Sequence, residues 1–180
     1  FLCGKGNNGG DALVAARYLS LHHGHRCRIT FPSGLDSLSP DAERNLTLLR
    51  RMQEAGAPVQ IEETLDPDLI RTSDYLVDGL FGIGLSRPLE GHFASAVEWI
   101  NQQLQPVYAL DIPSGLHADS GQVLGVAVKA DVTLSFGARK MGFYLQEGSR
   151  YTGVVDQIDL SFPDSVWRSE AVVISEEMAP

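Results

Sequence analysis

The sequence predicts an α/β protein with a mostly parallel sheet covered on both faces. Three observations carry this. The apolar runs are short, nearly unbroken and separated by helical patterns, as in strands buried on both sides. The first run, Phe1-Leu2-Cys3, passes at once into a glycine-rich stretch and then a helical pattern, the order of an α/β unit. Two later runs, Tyr75 to Asp78 and Val107 to Asp111, end in a carboxylate and lead into glycine-containing loops.

Each element follows in order. Gly4-Lys5-Gly6-Asn7-Asn8-Gly9-Gly10-Asp11 reads as a loop after the first strand. Glycines let the backbone turn tightly and approach a ligand. The helix behind such a loop offers unpaired N–H groups and a positive dipole end, so the stretch suits an anion. Val14, Tyr18 and Leu21 recur at helical spacing and are expected to be the apolar face of that helix. His22-His23-Gly24-His25 marks its end. Cations suit a helix C-terminus and glycine suits the cap, which weighs against a three-histidine metal site.

Arg26 to Phe31 reads as the second strand. Ser39-Pro40-Asp41 supplies the N-cap, first position and first turn of a second helix. Ala42, Leu46 and Leu49 form its stripe, and Gly56 its end. Pro58 to Ile61 reads as a short strand and Asp66-Pro67 as the start of a single helical turn. After the Tyr75 to Asp78 strand, Phe93, Ala96, Val97, Ile100 and Leu104 predict another helix. Val107 to Asp111, Val132 to Phe136 and Val154 to Leu160 complete the strands. Residues 1–168 form one expected domain. Ser169 to Pro180 reads as a linker or as the start of a following domain.

Composition bounds the function. A chain of 180 residues with 43% apolar content can bury one sizeable core. Its net charge of −9, with no basic tract, argues against nucleic acid and anionic membranes as partners. Cys3 and Cys27 are too few for a disulfide framework and suit buried thiols in a reducing cytoplasm. No secretory leader and no apolar run long enough to span a bilayer is present. The chain begins inside a strand without a methionine, so it is expected to be part of a longer protein.

The chemistry gathers where the strands end. Ligands of open parallel sheets bind outside the carboxyl ends of the strands. Gly4, Gly6 and Gly9 satisfy Gly-x-Gly-x-x-Gly, but a dinucleotide site also needs an acid about 20 residues on, at the end of the second strand. That strand ends Thr30-Phe31-Pro32, and Asp36 lies beyond it. An ordinary NAD dehydrogenase would therefore lack its ribose anchor. Asn7-Asn8-Gly9-Gly10-Asp11 is unusual for a phosphate loop. Its amides and carboxylate suit orientation of a sugar, a metal ion or acid–base work, although Asn and Asp also suit turns and helix starts.

Asn8, Asp78, Asp111 and Ser114 are oxygen donors without sulfur or imidazole, a set for a hard cation rather than zinc. Backbone carbonyls of the glycine loops would complete a monovalent ion's shell. The alternative is that Asp78 and Asp111 only cap turns. Ser114 lacks the Gly-x-Ser-x-Gly frame of a nucleophile elbow. Lys140, between a strand and Gly142, suits either a phosphate or solvent.

Three patches together resemble the NAD(P)H-hydrate epimerases, or YjeF N-terminal domains: Gly4 to Asp11, Asp78-Gly79-Leu80-Phe81-Gly82-Ile83-Gly84-Leu85, and Asp111-Ile112-Pro113-Ser114-Gly115-Leu116. Lys140-Met141-Gly142 is similar to the family's late Lys-x-Gly. The resemblance implies a Rossmann-like three-layer α/β/α sandwich, usually a cytoplasmic homodimer. It implies an isomerase that interconverts the R and S forms of NADHX and NADPHX at C6 of the hydrated nicotinamide ring, with no nucleic-acid or membrane partner. By position, Asn7, Asn8, Gly9, Gly10 and Asp11 would contact substrate. So would the loop Gly82, Ile83, Gly84, Leu85, Ser86, Arg87 and Pro88, covering phosphate. Asp111 would hold substrate and act as the catalytic residue. Asn8, Asp78 and Ser114 would bind K+.

Departures from the family are Ala12 in place of glycine, His117 in place of Asp or Asn, and the absence of a helical segment before the first strand. In bacteria the domain is often fused to a dehydratase acting on the S form, and such a fusion would begin after Ser169. Other relatives of the domain are non-catalytic scaffolds for dimerisation or binding. The intact set Asn8, Asp11, Asp78, Asp111 and Ser114 favours the enzyme.

Overall fold

Successive side chains of a strand point to opposite faces of a sheet, so a strand inside a sandwich must be apolar twice over. Leu2 and Cys3 show this in two residues: Leu2 joins one core cluster and Cys3 the other. The computed structural model describes residues 1–66 and 71–163. The expected turn at Asp66-Pro67 and the tail from Ser169 run into residues outside that range, as does the proposed boundary at 168.

Seven parallel strands form one sheet: β1 (Leu2–Cys3), β2 (Cys27–Thr30), β3 (Val59–Glu62), β4 (Leu76–Gly79), β5 (Val107–Leu110), β6 (Val132–Phe136) and β7 (Val154–Ile158). Their order across the sheet is β3-β2-β1-β4-β5-β6-β7. The chain winds outward from β1 to β3, then returns to place β4 on β1's other side. Leu2 pairs with Thr30 of β2 and with Asp78 of β4. The strand order therefore reverses between β1 and β4, where open α/β sheets have their binding crevice.

Helices α1 (Asn7–His23) and α2 (Pro40–Glu54) cover one face, over a core of Leu13, Ile29, Phe31, Leu49 and Val77. Helix α3 (Gly91–Ile100) covers the other, over Leu2, Leu76, Leu80 and Val107. The Rossmann-like three-layer sandwich is thus the observed fold. The α2 cap is as expected: Ser39 Oγ accepts from the Ala42 amide at 3.3 Å, with Pro40 behind it. Gly24 closes α1 in the left-handed conformation, φ 67°.

Two helical expectations are corrected. Val14, Tyr18 and Leu21 are 36%, 57% and 62% exposed. The buried face of α1 is instead Asn8, Gly9, Ala12, Leu13, Ala16 and Ser20. Close packing on the sheet selects small residues: a Cβ on Gly79 would overlap the Ala12 methyl. Large side chains cannot approach so near, and the larger apolar residues take the outer face. Leu104 was expected to continue the α3 stripe, but the helix ends at Ile100 and Leu104 is 100% exposed.

The connections after β5 and β6 contain no α-helix. Ile112, Leu116, Ala118 and Phe143 build a third small cluster there, and two 3-10 turns, Met141–Phe143 and Gly148–Arg150, fold the second connection onto the first. The Gly142 amide donates to Ala118 O at 2.6 Å, and a Cβ at Gly142 would overlap the His117 carbonyl.

Candidate active site

The first turn of α1 is the stretch expected to be a loop. Helix α1 begins at Asn7, so Asn7 to Asp11 lie on helix rather than before it. Gly6 is the N-cap, in extended conformation, and the Gly10 amide donates to its carbonyl at 3.1 Å. No side chain caps this end and no acid lies in the first turn, so the positive end of the dipole is unanswered within the helix. Two glycines bring the backbone close. A Cβ on Gly4 would overlap the Leu80 carbonyl, and one on Gly9 would overlap the Gly4 carbonyl. Gly6, by contrast, faces open space.

Asn8 is buried. Its Nδ2 donates to Leu110 O at 3.2 Å, which ties the helix start to the end of β5. Its Oδ1 is buried without a hydrogen-bond partner. A buried polar oxygen with no donor costs free energy, so Asn8 Oδ1 has unused acceptor capacity.

Asp78 and Ser114 meet directly. The Ser114 hydroxyl donates to Asp78 Oδ1 at 2.7 Å and the Ser114 amide to Oδ2 at 2.8 Å. The Leu80 amide donates to Oδ1 at 3.1 Å. Asp78 is fully buried, and burial pushes its pKa up to about 6 despite those bonds. Ser114 Oγ also accepts from the Phe81 amide at 2.9 Å and lies 3.2 Å from Phe81 O. One hydroxyl proton serves one acceptor well, so the Phe81 carbonyl keeps acceptor capacity beside Asp78.

Asp111 follows β5 in the left-handed region, φ 66°, where residues other than glycine are uncommon. Its amide donates to Leu134 O at 2.8 Å, which holds it against β6. Oδ1 forms an ion pair with Lys140 Nζ and accepts from the Phe136 amide at 3.4 Å. Oδ2 points at Gly82, where an added Cβ would lie 3.4 Å from it and 3.5 Å from Asn8 Cβ. The Asp111 side chain is 14% exposed, so the carboxylate is reachable but mostly covered. Asp11, at the surface of the same rim, has its pKa raised by desolvation first, then by the charges of Asp111 and Asp41.

In the loop after β4, Leu85 is buried with Leu80 and Leu89, so it offers a ligand backbone only. Ile83, Gly84, Ser86, Arg87 and Pro88 are exposed. A cleft of about 740 Å³ runs along the same edge, outside β2 and β3, lined by Pro32 to Asp36, Glu63 to Leu65, and His92, Ser95 and Ala96. The fold thus joins Asn8, Gly82 and Asp111 at one point and Asp78, Ser114 and Phe81 at another, linked by the short Leu80–Gly82 segment.

Sequence reasoning missed the partnership of Lys140 with Asp111. The signal was present: β6 neighbours β5, Leu110 pairs with Leu134, and Lys140 follows β6 by four residues. It needed the strand order, which no local pattern states. The Phe81 carbonyl belongs to one of the glycine loops whose carbonyls were expected to serve an ion, but its place beside Ser114 needed the fold.

A parallel sheet whose switch point carries an uncapped helix start, a buried carboxylate and an ion-paired aspartate has the layout of a Rossmann-like α/β protein with a candidate site at that point. The chain belongs to the family described as YjeF-related protein N-terminus, whose model matches residues 1–142. It is 42% identical over 174 residues to the bifunctional NAD(P)H-hydrate repair enzyme Nnr of Salinibacter ruber, covering 92% of this chain and 32% of that protein. It is 41% identical over 158 residues to the NAD(P)H-hydrate epimerase of Achromobacter xylosoxidans, covering 88% and 72%. The crystal structure of the yeast protein YNL200c superposes with a TM-score of 0.64 at 25% identity, covering 87% of this chain and 63% of that one. The chain spans about a third of the bifunctional relatives it matches.

Proposed function

We propose that this domain is an NAD(P)H-hydrate epimerase, an isomerase that interconverts the R and S forms of NADHX and NADPHX at C6. One observation carries the reading. A carboxylate oxygen, Asp111 Oδ2, faces the Gly82 loop and Asn8 at the switch point, beside an uncapped helix start suited to pyrophosphate. The epimerase names of relatives such as that of Achromobacter xylosoxidans support it. Asn7 to Asp11 and Gly82 to Pro88 would hold the nucleotide.

The C6 carbon carries a ring nitrogen and a hydroxyl. Protonation of the hydroxyl breaks the C–O bond, with its electron pair leaving on water. The nitrogen lone pair then forms the C=N bond of a ring cation. Water adds to the opposite face and gives up a proton, which restores the neutral hydrate with inverted configuration. Asp111 Oδ2 would stabilise the cation and exchange the proton at the hydroxyl oxygen.

The oxygen set suits K+. Asp78 is buried without an ion pair among the described residues, Ser114 donates to it, and the Phe81 carbonyl lies 3.2 Å from Ser114 Oγ. Asn8 Oδ1, a donor-free oxygen in the adjoining group across the Leu80–Gly82 segment, would complete the set. Bound there, K+ would supply a fixed positive charge beneath the substrate loops.

A cytoplasmic homodimer is the proposed state, with the S product passing to a dehydratase. Among the described residues no helix is long and apolar enough to cross a membrane.

The test mixes the full-length protein with R- and S-NADHX and an S-specific dehydratase. Accelerated loss of the R form is expected. Unchanged R-form decay would instead leave a non-catalytic scaffold of the same fold.

A further inference from the structure

Lys140 carries a role that the reaction scheme above does not assign. Its ammonium has three protons and no acceptor capacity. Four acceptors surround it: Asp111 Oδ1 in the ion pair, Ser135 Oγ at 3.1 Å, and the carbonyls of Phe136 and Ala138, each at 3.0 Å. The donors are therefore fully used within the protein. A substrate phosphate would have to displace one of these partners, so the phosphate role open to Lys140 from sequence is disfavoured.

The cradle is itself fixed. Ser135 Oγ donates to Ala138 O at 2.7 Å, which closes the turn after β6. Gly142 packs against the Ala118 carbonyl, which brings the Lys140 segment back toward the Asp111 connection. The Lys140 and Asp111 side chains are only 12% and 14% exposed, so solvent screens the pair weakly.

We propose that Lys140 is a positioning residue that pins Asp111 Oδ1 and leaves Oδ2, under Gly82, as the single oxygen presented to the reacting carbon. Asp111 needs such a restraint. A carboxylate has two equivalent oxygens and turns about its own axis, and this one hangs from a left-handed backbone position whose amide donates one hydrogen bond to Leu134 O. With Oδ1 held by the ammonium and by the Phe136 amide, rotation would break both contacts. The two oxygens are thereby made unequal. One belongs to the protein and the other to the ligand, and the proton exchanged with the C6 hydroxyl has one address. Asn8 Cβ, which a Cβ at Gly82 would meet at 3.5 Å, lies on the other side of Oδ2's surroundings at Gly82.

The inference rests on the epimerase reading, and its test separates the two. In the full-length protein, Lys140→Met should lower kcat for R-to-S exchange about 100-fold, with KM changed less than about threefold. Lys140→Cys, alkylated to an aminoethyl thioether, restores an ammonium at nearly the native length and should recover most of the rate. Cys3 and Cys27 are buried, so within this domain the new thiol is the more exposed one, and the same treatment of the unsubstituted protein is the control. In an Asp111→Asn background, adding Lys140→Met should cost less than about threefold more, because the lysine acts through the aspartate.

Full kcat in Lys140→Met, a KM increase with kcat intact, or multiplicative losses in the double variant would each overturn the proposal. A crystal structure of Lys140→Met tests placement without turnover: Oδ2 displaced from Gly82 is expected, and an unmoved carboxylate overturns the role. A wild-type protein that does not exchange R and S forms would strike the epimerase reading alone, and that structure would then decide the positioning of Asp111.

Discussion

Asp11 and Asp111 illustrate how far one side chain's chemistry depends on another. Part of the rise in the Asp11 pKa comes from the Asp111 charge, and a further part from Asp41. Removing that charge in Asp111→Asn should lower the Asp11 pKa toward the ordinary carboxylate value, read by carbon-detected NMR titration. No change would mean that the two carboxylates do not share a site. Gly82 offers a steric test. A methyl there meets Asp111 Oδ2 and Asn8 at ordinary contact distance, so Gly82→Ala should fold with a stability change under about 1 kcal/mol. It crowds Asp111 Oδ2, the oxygen proposed to meet the substrate, so kcat/KM should fall by about 10-fold or more. Chemical denaturation and steady-state kinetics on one preparation read both halves.

At the scale of elements, α1 does two things that its residue pattern describes poorly. Its N-terminus is part of the candidate site, and its buried face consists largely of small residues. Glycine positions in this element are therefore not equivalent. Gly9→Ala places a Cβ on the Gly4 carbonyl and should push the helix start away from β1, with loss of cooperative unfolding or of substrate binding. Gly6→Ala meets nothing, and Gly6 has an extended backbone with φ −91°, so its cost should stay within about 1 kcal/mol. Thermal melts of the two variants side by side distinguish spatial need from motif membership. Helix α2 depends on local chemistry instead. Losing the Ser39 cap in Ser39→Ala should cost about 1 kcal/mol without touching the site, measured by urea titration.

Across the whole molecule, the buried Asp78 is where the proposed ion binding would couple to folding. Its pKa of about 6 exceeds the 3.8 of an unhindered carboxyl. Below the lower value the group is protonated whether the chain is folded or not, and it adds no pH dependence. Between the two values the folded state holds the extra proton, so stability falls as pH rises through that window. Above about 6 the fold carries the full cost of a buried charge. A bound K+ would offset that cost. The melting temperature should therefore rise with KCl, relative to equal choline chloride, at pH 8 but not at pH 4. An equal response at both pH values would argue against Asp78 as an ion ligand. The Asp78 to Ser114 contact spans 36 residues. Only the pairing of β4 with β5 brings those two positions together.

The sequence by itself determined the class of fold, because strands buried on both faces must be apolar throughout and helices on their surface must not. It also picked out the short stretches proposed to carry chemistry, since Asn7 to Asp11, Asp78 and Asp111 stand where apolar runs stop. Tertiary structure decided the rest. The face of α1 that packs was misjudged from Val14, Tyr18 and Leu21 because close helix–sheet packing rewards small residues over large ones. The pairing of Lys140 with Asp111, and of Ser114 with Asp78, depends on which strands are neighbours. Strand order is a property of the assembled sheet. Residue periodicity records only whether a side chain is buried, not what it is buried against.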